Sequence, residues 1–281
     1  MQYRTFRPAA ALAAAAALFL LAACSRSPGR GGEWTPEDVH AALKATNPDY
    51  NGAAVFEIEL GRVISMQLTD TNVADVSPLA DMDLRVLDLR GTDVSDLTPL
   101  SGLPLVELYL EETPVTDLSP LRGMKLVKLY LNNTRVSGLS PLSGMPLVEL
   151  NLFGTSVTDL SPLRGMPLRM LWLNETPVSD ITPIRLCPLV SLTLHRTRVA
   201  DIKPLAISRT LERLHIAETP VTDLTPIKEL RLTRLIFTPA SIEKGLETAR
   251  NMPTLREIGT TFENRMPPEV FWQRYDRGEF R

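Results

Sequence analysis

Hydrophobic and polar residues recur along most of this chain with a period of 21 residues. The unit LxxLxLxxTxVxDLxPLxxMP fits eight full copies and a truncated ninth, with one extra residue before the eighth copy. The copies start at Val63, Leu84, Leu105, Leu126, Leu147, Leu168, Leu189 and Leu211, and the partial ninth starts at Leu232. Self-similarity at a fixed period of this length indicates a repeat architecture in which neighbouring units share one core.

The pattern inside one unit predicts a strand followed by a short helical turn. Places four and six are apolar, as in Leu150 and Leu152, which is typical of a strand with one buried face, and such strands stack in parallel. Place fifteen is Ser or Thr in all copies but one and place sixteen is Pro. We therefore expect the Ser or Thr to cap a 3₁₀ turn that starts at the Pro. Apolar places 1, 4, 6, 11, 14, 17 and 20 should point inward.

The LxxLxL start and the D-[LIV]-[ST]-P-L segment of the unit resemble the leucine-rich repeat family, in its short internalin-like bacterial type, over residues 63–237. The resemblance implies an α/β fold, a right-handed superhelix of β-strands and 3₁₀ turns, with a parallel sheet on the concave face and helical caps at both ends. Thr fills the ninth place, from Thr71 to Thr219, where the family usually has Asn. We expect the Thr hydroxyl to bond the backbone of the neighbouring coil.

The segments on either side of the repeats are predicted to be caps, because a repeat stack exposes an apolar end at each terminus. In the N-terminal cap, residues 35–62, the pattern predicts a helix over 36–45 and a hairpin that leads into the first repeat, with strands over 53–60 and 62–68. In the C-terminal cap, residues 238–281, we expect a helix at 241–251 with Ser241 as its N-cap, a strand at 255–258 and a helix at 268–275.

The first 23 residues have the plan of a secretory signal, with a positively charged start, an unbroken apolar run and small residues before a cysteine. The last four positions, Leu21 to Cys24, resemble a bacterial lipobox. The resemblance implies cleavage before Cys24 and lipidation of its thiol and new amino group. An uncleaved anchor, or an ordinary signal peptide with a chance cysteine, remains the alternative.

Residues 24–34 are predicted to be a flexible linker that holds the repeat domain away from the membrane. Two or more acyl chains bind a bilayer firmly, so the expected location is the bacterial cell envelope. In a cell with two membranes, the resemblance implies sorting to the outer membrane, because Ser25 and not Asp follows the cysteine. We expect the outer membrane or another periplasm-facing surface rather than the surface of a single-membrane cell.

Side chains at places three, five and seven are predicted to lie on the open face of the sheet, because the core places are occupied by other residues. Aromatic residues gather there in the middle of the array, and we predict that this face binds a partner. The predicted partner-binding residues are Tyr109, Tyr130, Phe153, Trp172, Glu107, Lys128, His195 and His215. Trp and Tyr are typical anchors of interfaces, although aromatic residues also favour strands and pair across them.

The chemistry of the chain argues against an enzyme. His195 and His215 fall on adjacent coils, which makes a metal site or an acid and base pair conceivable, but no third ligand or nucleophile lies at a useful spacing. No catalytic residue, metal site or cofactor is therefore expected. The net charge of −3 lacks the basic excess of nucleic acid binding proteins. Cys187 falls in a core place and is expected to be a buried, unpaired thiol.

We therefore expect a non-catalytic, lipid-anchored leucine-rich repeat protein that binds a protein or peptide on its concave face. The alternative is a structural or glycan-binding protein of the envelope, because aromatic side chains also stack on sugars. A third hypothesis, an enzyme that uses His195 and His215, is the least supported.

Overall fold

The computed structural model describes residues 33–280, which form one sheet of twelve strands that lie side by side in chain order. The strands are β1 (Val55–Glu59), β2 (Arg62–Gln67), β3 (Val86–Asp88), β4 (Glu107–Tyr109), β5 (Lys128–Tyr130), β6 (Glu149–Asn151), β7 (Met170–Trp172), β8 (Ser191–Thr193), β9 (Arg213–His215), β10 (Arg234–Ile236), β11 (Glu257–Gly259) and β12 (Arg265–Met266). Strands β2 to β11 are parallel, and β1 and β12 add antiparallel to the two edges.

The register of the parallel strands follows the repeat, so that equal places lie beside one another. Leu108 of β4 lies beside Leu129 of β5, and Tyr109 lies beside Tyr130. The single extra residue before Leu211 does not disturb this register, since Leu192 still pairs with Leu214. The insertion is absorbed on the other side of the coil, where the 3₁₀ turn is five residues long instead of three.

A 3₁₀ turn follows each strand from β2 to β9, as the repeat pattern predicts. These turns are Ser77–Leu79, Thr98–Leu100, Ser119–Leu121, Ser140–Leu142, Ser161–Leu163, Thr182–Ile184, Lys203–Ile207 and Thr225–Ile227, and a further one, Pro239–Ser241, lies beyond β10. The prediction that Ser or Thr caps each turn is wrong. The Ser or Thr is already inside the turn, and its backbone N–H donates to the Asp two residues earlier, as Ser119 donates to Asp117 Oδ1 at 2.8 Å.

The chain turns sharply at the eighth place of every full copy, where the backbone φ is positive. Four of the eight residues with this conformation are Gly91, Glu112, Asn133 and Gly154. The turn directs the Thr of the ninth place back over its own coil, so that Thr134 Oγ1 donates to Leu131 O at 2.8 Å. The expectation that this hydroxyl bonds the neighbouring coil is therefore wrong. The backbone N–H of place eight makes that contact instead, as Asn133 N–H donates to Phe153 O at 2.8 Å.

The core is a continuous apolar column built from the seven predicted places. Those places are buried in every full copy, except place twenty of the copy that begins at Leu189, where the half-buried Ser208 stands. Cys187 is buried and its thiol is free, as predicted from its place in the repeat. No coil can bury this surface alone, so each is stabilised by its neighbours.

The N-terminal end of the core is covered by helix α1 (Pro36–Thr46) and the hairpin of β1 and β2, both present as predicted. Thr35 and Asp38 form a capping box at the start of α1. Trp34, which the sequence prediction assigned to the linker, is buried in the same core. Its backbone N–H donates to Gly61 O at 2.7 Å, so the packed part of the described chain includes Trp34.

The C-terminal end is covered by two helices, α2 (Leu246–Arg250) and α3 (Pro268–Asp276), and Phe237 and Phe271 meet there within the core. The prediction of a helix from Ser241 is wrong, because residues 243 and 244 donate their N–H groups to Thr222 O and continue the coil. The predicted strand at 255–258 lies at 257–259. Across residues 33–280, no helix has the length and apolar character needed to cross a membrane. The predicted signal peptide and Cys24 lie outside the described residues.

Candidate functional site

The aromatic residues of the fifth place form a ladder across the middle of the sheet face. The ring centroids of Tyr109 and Tyr130 are 5.2 Å apart and those of Tyr130 and Trp172 are 5.8 Å apart, both in edge-to-face geometry. The three rings are half-buried rather than fully exposed. Such aromatic pairs also stabilise a sheet without any partner, which is the alternative explanation for aromatic residues at these places.

The polar edges of this ladder are held by neighbouring side chains. Tyr109 donates to Glu107 Oε2 at 2.6 Å and Tyr130 donates to Glu149 Oε2 at 2.8 Å. Burial raises the pKa of both tyrosines, so they remain neutral donors. Lys128 Nζ lies 3.1 Å from Glu107 Oε1. The predicted residues Glu107 and Lys128 therefore orient the ladder and present a fixed, half-buried surface.

A groove of about 570 Å³ runs beside the ladder along the carboxyl ends of β2 to β7. Its walls come from places five, seven and eight of six successive coils. The lining residues are Thr69, Asp70, Arg90, Gly91, Glu111, Glu112, Asn132, Asn133, Asn151, Phe153, Trp172 and Asn174. The predicted residues Phe153 and Trp172 thus belong to both the sheet face and the groove.

Three of the groove residues have a buried polar atom without a hydrogen-bond partner in the described protein. These atoms are Glu111 Oε2, Asn132 Oδ1 and Asn174 Oδ1. The three side chains occupy the seventh place of their repeats and are only 6%, 5% and 9% exposed. Because most buried polar groups in proteins are hydrogen-bonded, these three atoms are places where a ligand or solvent can supply the missing hydrogen-bond partners.

Glu111 is the most perturbed of these groups. Burial raises the pKa of its carboxyl to about 7, and the charges of Asp88 and Glu112 act in the same direction. The guanidinium of Arg90 opposes this shift only weakly, since it is already engaged by Asp88, with 2.6 Å between Arg90 Nη2 and Asp88 Oδ2. The groove thus contains a carboxyl group that lacks a cation of its own.

His195 and His215 stack on the same sheet face, with ring centroids 5.0 Å apart. His195 Nδ1–H donates to Ala217 O at 3.1 Å, and His215 is 8% exposed with Nε2 buried and unpartnered. Burial and the neighbouring His195 lower the pKa of His215 to about 4, so its ring is neutral at pH 7. Within residues 33–280 no group of three or more His, Cys, Asp or Glu side chains is placed to hold a metal ion.

The sequence did not predict the buried members of the groove. The seventh place was assigned to the open face, but Glu111, Asn132 and Asn174 are buried. A signal was present, because polar side chains recur in that column directly between a core Leu and the turn. The aromatic residues of the fifth place were the stronger pattern.

Solved structures of internalins share this architecture. An internalin (InlF) from Listeria monocytogenes is 27% identical and matches 79% of this chain and 67% of its own, with a TM-score of 0.61. Internalin C2 from the same organism is 24% identical and matches 75% of this chain and 99% of its own, with a TM-score of 0.62. A leucine-rich repeat protein from Leptospira interrogans is 19% identical over 66% of this chain and 57% of its own, with a TM-score of 0.52.

No protein-family profile matches this sequence. No curated protein matches it either. The structural similarities and the single open sheet with its 3₁₀ turns define the class, an internalin-like leucine-rich repeat solenoid with a parallel sheet on its concave face. The predicted fold class is therefore confirmed.

Proposed function

We propose that this protein binds another protein or a peptide on its concave face, through the aromatic ladder and the adjoining groove, and that it performs no catalysis. The observation that supports this proposal is the row of buried, unpartnered polar atoms beside half-exposed aromatic rings. Neither feature contributes to the apolar core. Leucine-rich repeat scaffolds place such surfaces on the concave side, where neighbouring coils offer one continuous area to a partner.

A capture experiment with the purified full chain tests this proposal. We expect a partner from the native cell envelope to bind the wild-type protein but not the variant Trp172→Ala. The matched control is Leu186→Ala, which removes a side chain that is 65% exposed on the turn side of the coil. Thermal melts of both variants separate loss of binding from loss of folding. Equal capture by wild-type and Trp172→Ala would show that the ladder is not the binding surface.

A second candidate, binding of a glycan of the envelope, is favoured by one feature of the groove. Phe153 and Trp172 line it together with Asn132, Asn151 and Asn174, and aromatic faces next to amides suit sugar rings and their hydroxyl groups. A glycan array probed with wild-type protein and with Trp172→Ala distinguishes the two candidates. Binding to defined glycans that is lost in the variant would replace the protein partner with a sugar.

The proposal also includes a lipid anchor on Cys24 and a location at the bacterial cell envelope, at the outer membrane or another periplasm-facing surface. The lipobox-like Leu21 to Cys24 and the Gly- and Ser-rich residues 25–33 that follow support it. Mass spectrometry of the mature N-terminus should find a diacylglyceryl group and a fatty acyl chain on Cys24. A Cys24→Ser variant that still partitions with membranes would contradict the lipid anchor.

A further inference from the structure

We propose that the groove receives a basic side chain, Lys or Arg, of the partner, with Glu111 as its anionic anchor. This inference rests on the proposed function and specifies the chemistry of the partner. Glu111 lines the groove, is 6% exposed, and has one carboxylate oxygen without a hydrogen-bond partner in the described protein. A cationic ligand supplies both the missing charge and the missing donor.

The charge balance of the groove favours a cation over any other ligand class. Three carboxylates line it, those of Asp70, Glu111 and Glu112, against the single guanidinium of Arg90. Arg90 is already held by both oxygens of Asp88, with Nε to Oδ1 and Nε to Oδ2 distances of 2.9 Å and 3.0 Å. An incoming ammonium or guanidinium therefore meets an excess of negative charge and no free competitor among the lining residues.

The side chains beyond Glu111 in the seventh-place column suit the rest of such a ligand. The following coils present Asn132, then the ring of Phe153, then Asn174, at successive intervals of about 4.8 Å, the spacing of adjacent strands. The two amides offer acceptors to further N–H groups, of which a guanidinium alone carries five. The Phe153 ring offers an apolar surface to the methylene stem of the same side chain.

Burying a charged carboxylate without a partner is costly, and pairing it with a hydrogen-bonded cation offsets that cost. The groups that face Glu111 are Asp88 and Arg90 on the preceding coil, Glu112 on its own coil and Tyr130 on the following coil. None of them neutralises it. Because a bound cation favours the ionised carboxylate, binding should release a proton at neutral pH and should tighten as the pH rises.

The test uses two pools of fluorescein-labelled octapeptides, acetylated and amidated at their ends, with random uncharged flanks. One pool has Arg at the fourth position, and the other has citrulline, which keeps the shape of Arg and removes its charge. Fluorescence anisotropy is measured at 0.15 M salt with the purified full chain in detergent micelles, and micelles alone serve as the blank. Wild-type protein is compared with Glu111→Gln and with the matched control Glu229→Gln, which changes an exposed carboxylate beside the 3₁₀ turn Thr225–Ile227, outside the groove.

We expect the Arg pool to bind wild-type protein at least tenfold more tightly than the citrulline pool. This preference should disappear in Glu111→Gln and remain within about twofold of the wild-type value in Glu229→Gln. The affinity of the Arg pool should fall about tenfold from pH 8 to pH 6, since a carboxyl with a pKa near 7 is mostly ionised at the first and mostly protonated at the second.

Other outcomes separate this inference from the proposed function. Equal affinities for the two pools, both lost in Trp172→Ala, would overturn the cation assignment and keep the concave face as the binding surface. If Arg-dependent binding falls equally in both Glu variants, the preference for Arg is a general attraction between opposite charges, and the role of Glu111 is overturned. Binding that neither Glu111→Gln nor Trp172→Ala affects would overturn both proposals. Binding of neither pool would overturn the cation assignment.

Discussion

Replacing Glu111 by Gln should stabilise the protein, and the gain should grow with pH. In the folded chain, burial raises the pKa of this carboxyl from 4.5 to about 7. The folded state therefore holds the proton more tightly than the unfolded state, and wild-type stability falls as the pH rises from 4.5 to 7. Gln has nearly the same shape and no charge to desolvate, so the variant escapes this loss.

The magnitude follows from the shift. A pKa difference of roughly 2.5 units corresponds to about 3 kcal/mol at most, at about 1.4 kcal/mol per unit. The groove beside Glu111 is open to water, which reduces the penalty, so we expect Glu111→Gln to gain about 1–3 kcal/mol at pH 8. At pH 4 the wild-type carboxyl is mostly protonated in both states, and the two proteins should differ by less than about 0.5 kcal/mol.

Urea unfolding at a series of pH values measures this difference. Urea is preferred to guanidinium chloride, because the guanidinium ion is itself a ligand of the kind proposed for the groove. Glu112→Gln is the matched control, since Glu112 is exposed and adjacent in sequence. A free energy of unfolding that differs by the same amount at pH 4 and pH 8, or a Glu112→Gln variant that gains as much, would refute the account of Glu111.

Three further changes test the repeat geometry, each by urea unfolding at pH 7. Gly138 stands where other copies have Asp, its backbone φ is not positive and a Cβ there meets no atom within 4 Å, so Gly138→Ala should gain roughly 0.4–1 kcal/mol. Gly138→Asp should gain more than Gly138→Ala, because its carboxylate can accept the Ser140 N–H, and an equal gain would refute this. Since the same bond lowers the pKa of Asp117, the extra stability of Gly138→Asp should be lost as the pH falls from about 4 through that lowered pKa. Thr134→Val removes the hydroxyl that donates to Leu131 O and should cost about 1 kcal/mol, whereas Val at the exposed Thr158 should cost little; equal costs would contradict this.

Most of the coil follows from the sequence, because its period fixes which side chains are buried together. Leu108 and Leu129, one repeat apart, lie beside each other, as the equal places predict. The predictions that are wrong concern hydrogen bonds within a coil. The N–H of Ser119 donates to the preceding Asp117, because an Asp side chain reaches the N–H two residues ahead. The Thr134 hydroxyl bonds its own coil, because the positive φ of Asn133 turns the chain back.

The C-terminal cap shows how tertiary contacts override a local pattern. The sequence from Ser241 suggested a helix, but the backbone N–H groups of Glu243 and Lys244 donate to Thr222 O of the preceding coil. Gly245 then adopts a φ of 77° against that coil, where a Cβ would lie 2.5 Å from Thr225 N. The helix can begin only after this contact ends. The helix propensity of this segment alone therefore does not predict where the helix begins.

The candidate site was predictable in its position but not in its depth. The pattern placed Tyr109, Tyr130, Phe153 and Trp172 on one sheet face, and the structure brings three of these rings into contact. The burial of Glu111 does not follow from its place in the repeat, because Arg90 at the same place of the preceding copy is partly exposed. The sequence therefore indicates the face but not the groove.

Photo-crosslinking in cells tests the central claim, that the concave face is the partner-binding surface, most directly. Benzoylphenylalanine is placed either at Phe153, which lines the groove, or at Leu186, which is exposed on the turn side. The proposed function predicts that irradiation joins the Phe153 variant to a discrete partner and leaves the Leu186 variant unjoined. Crosslinks to that partner from position 186 and none from position 153 would contradict it.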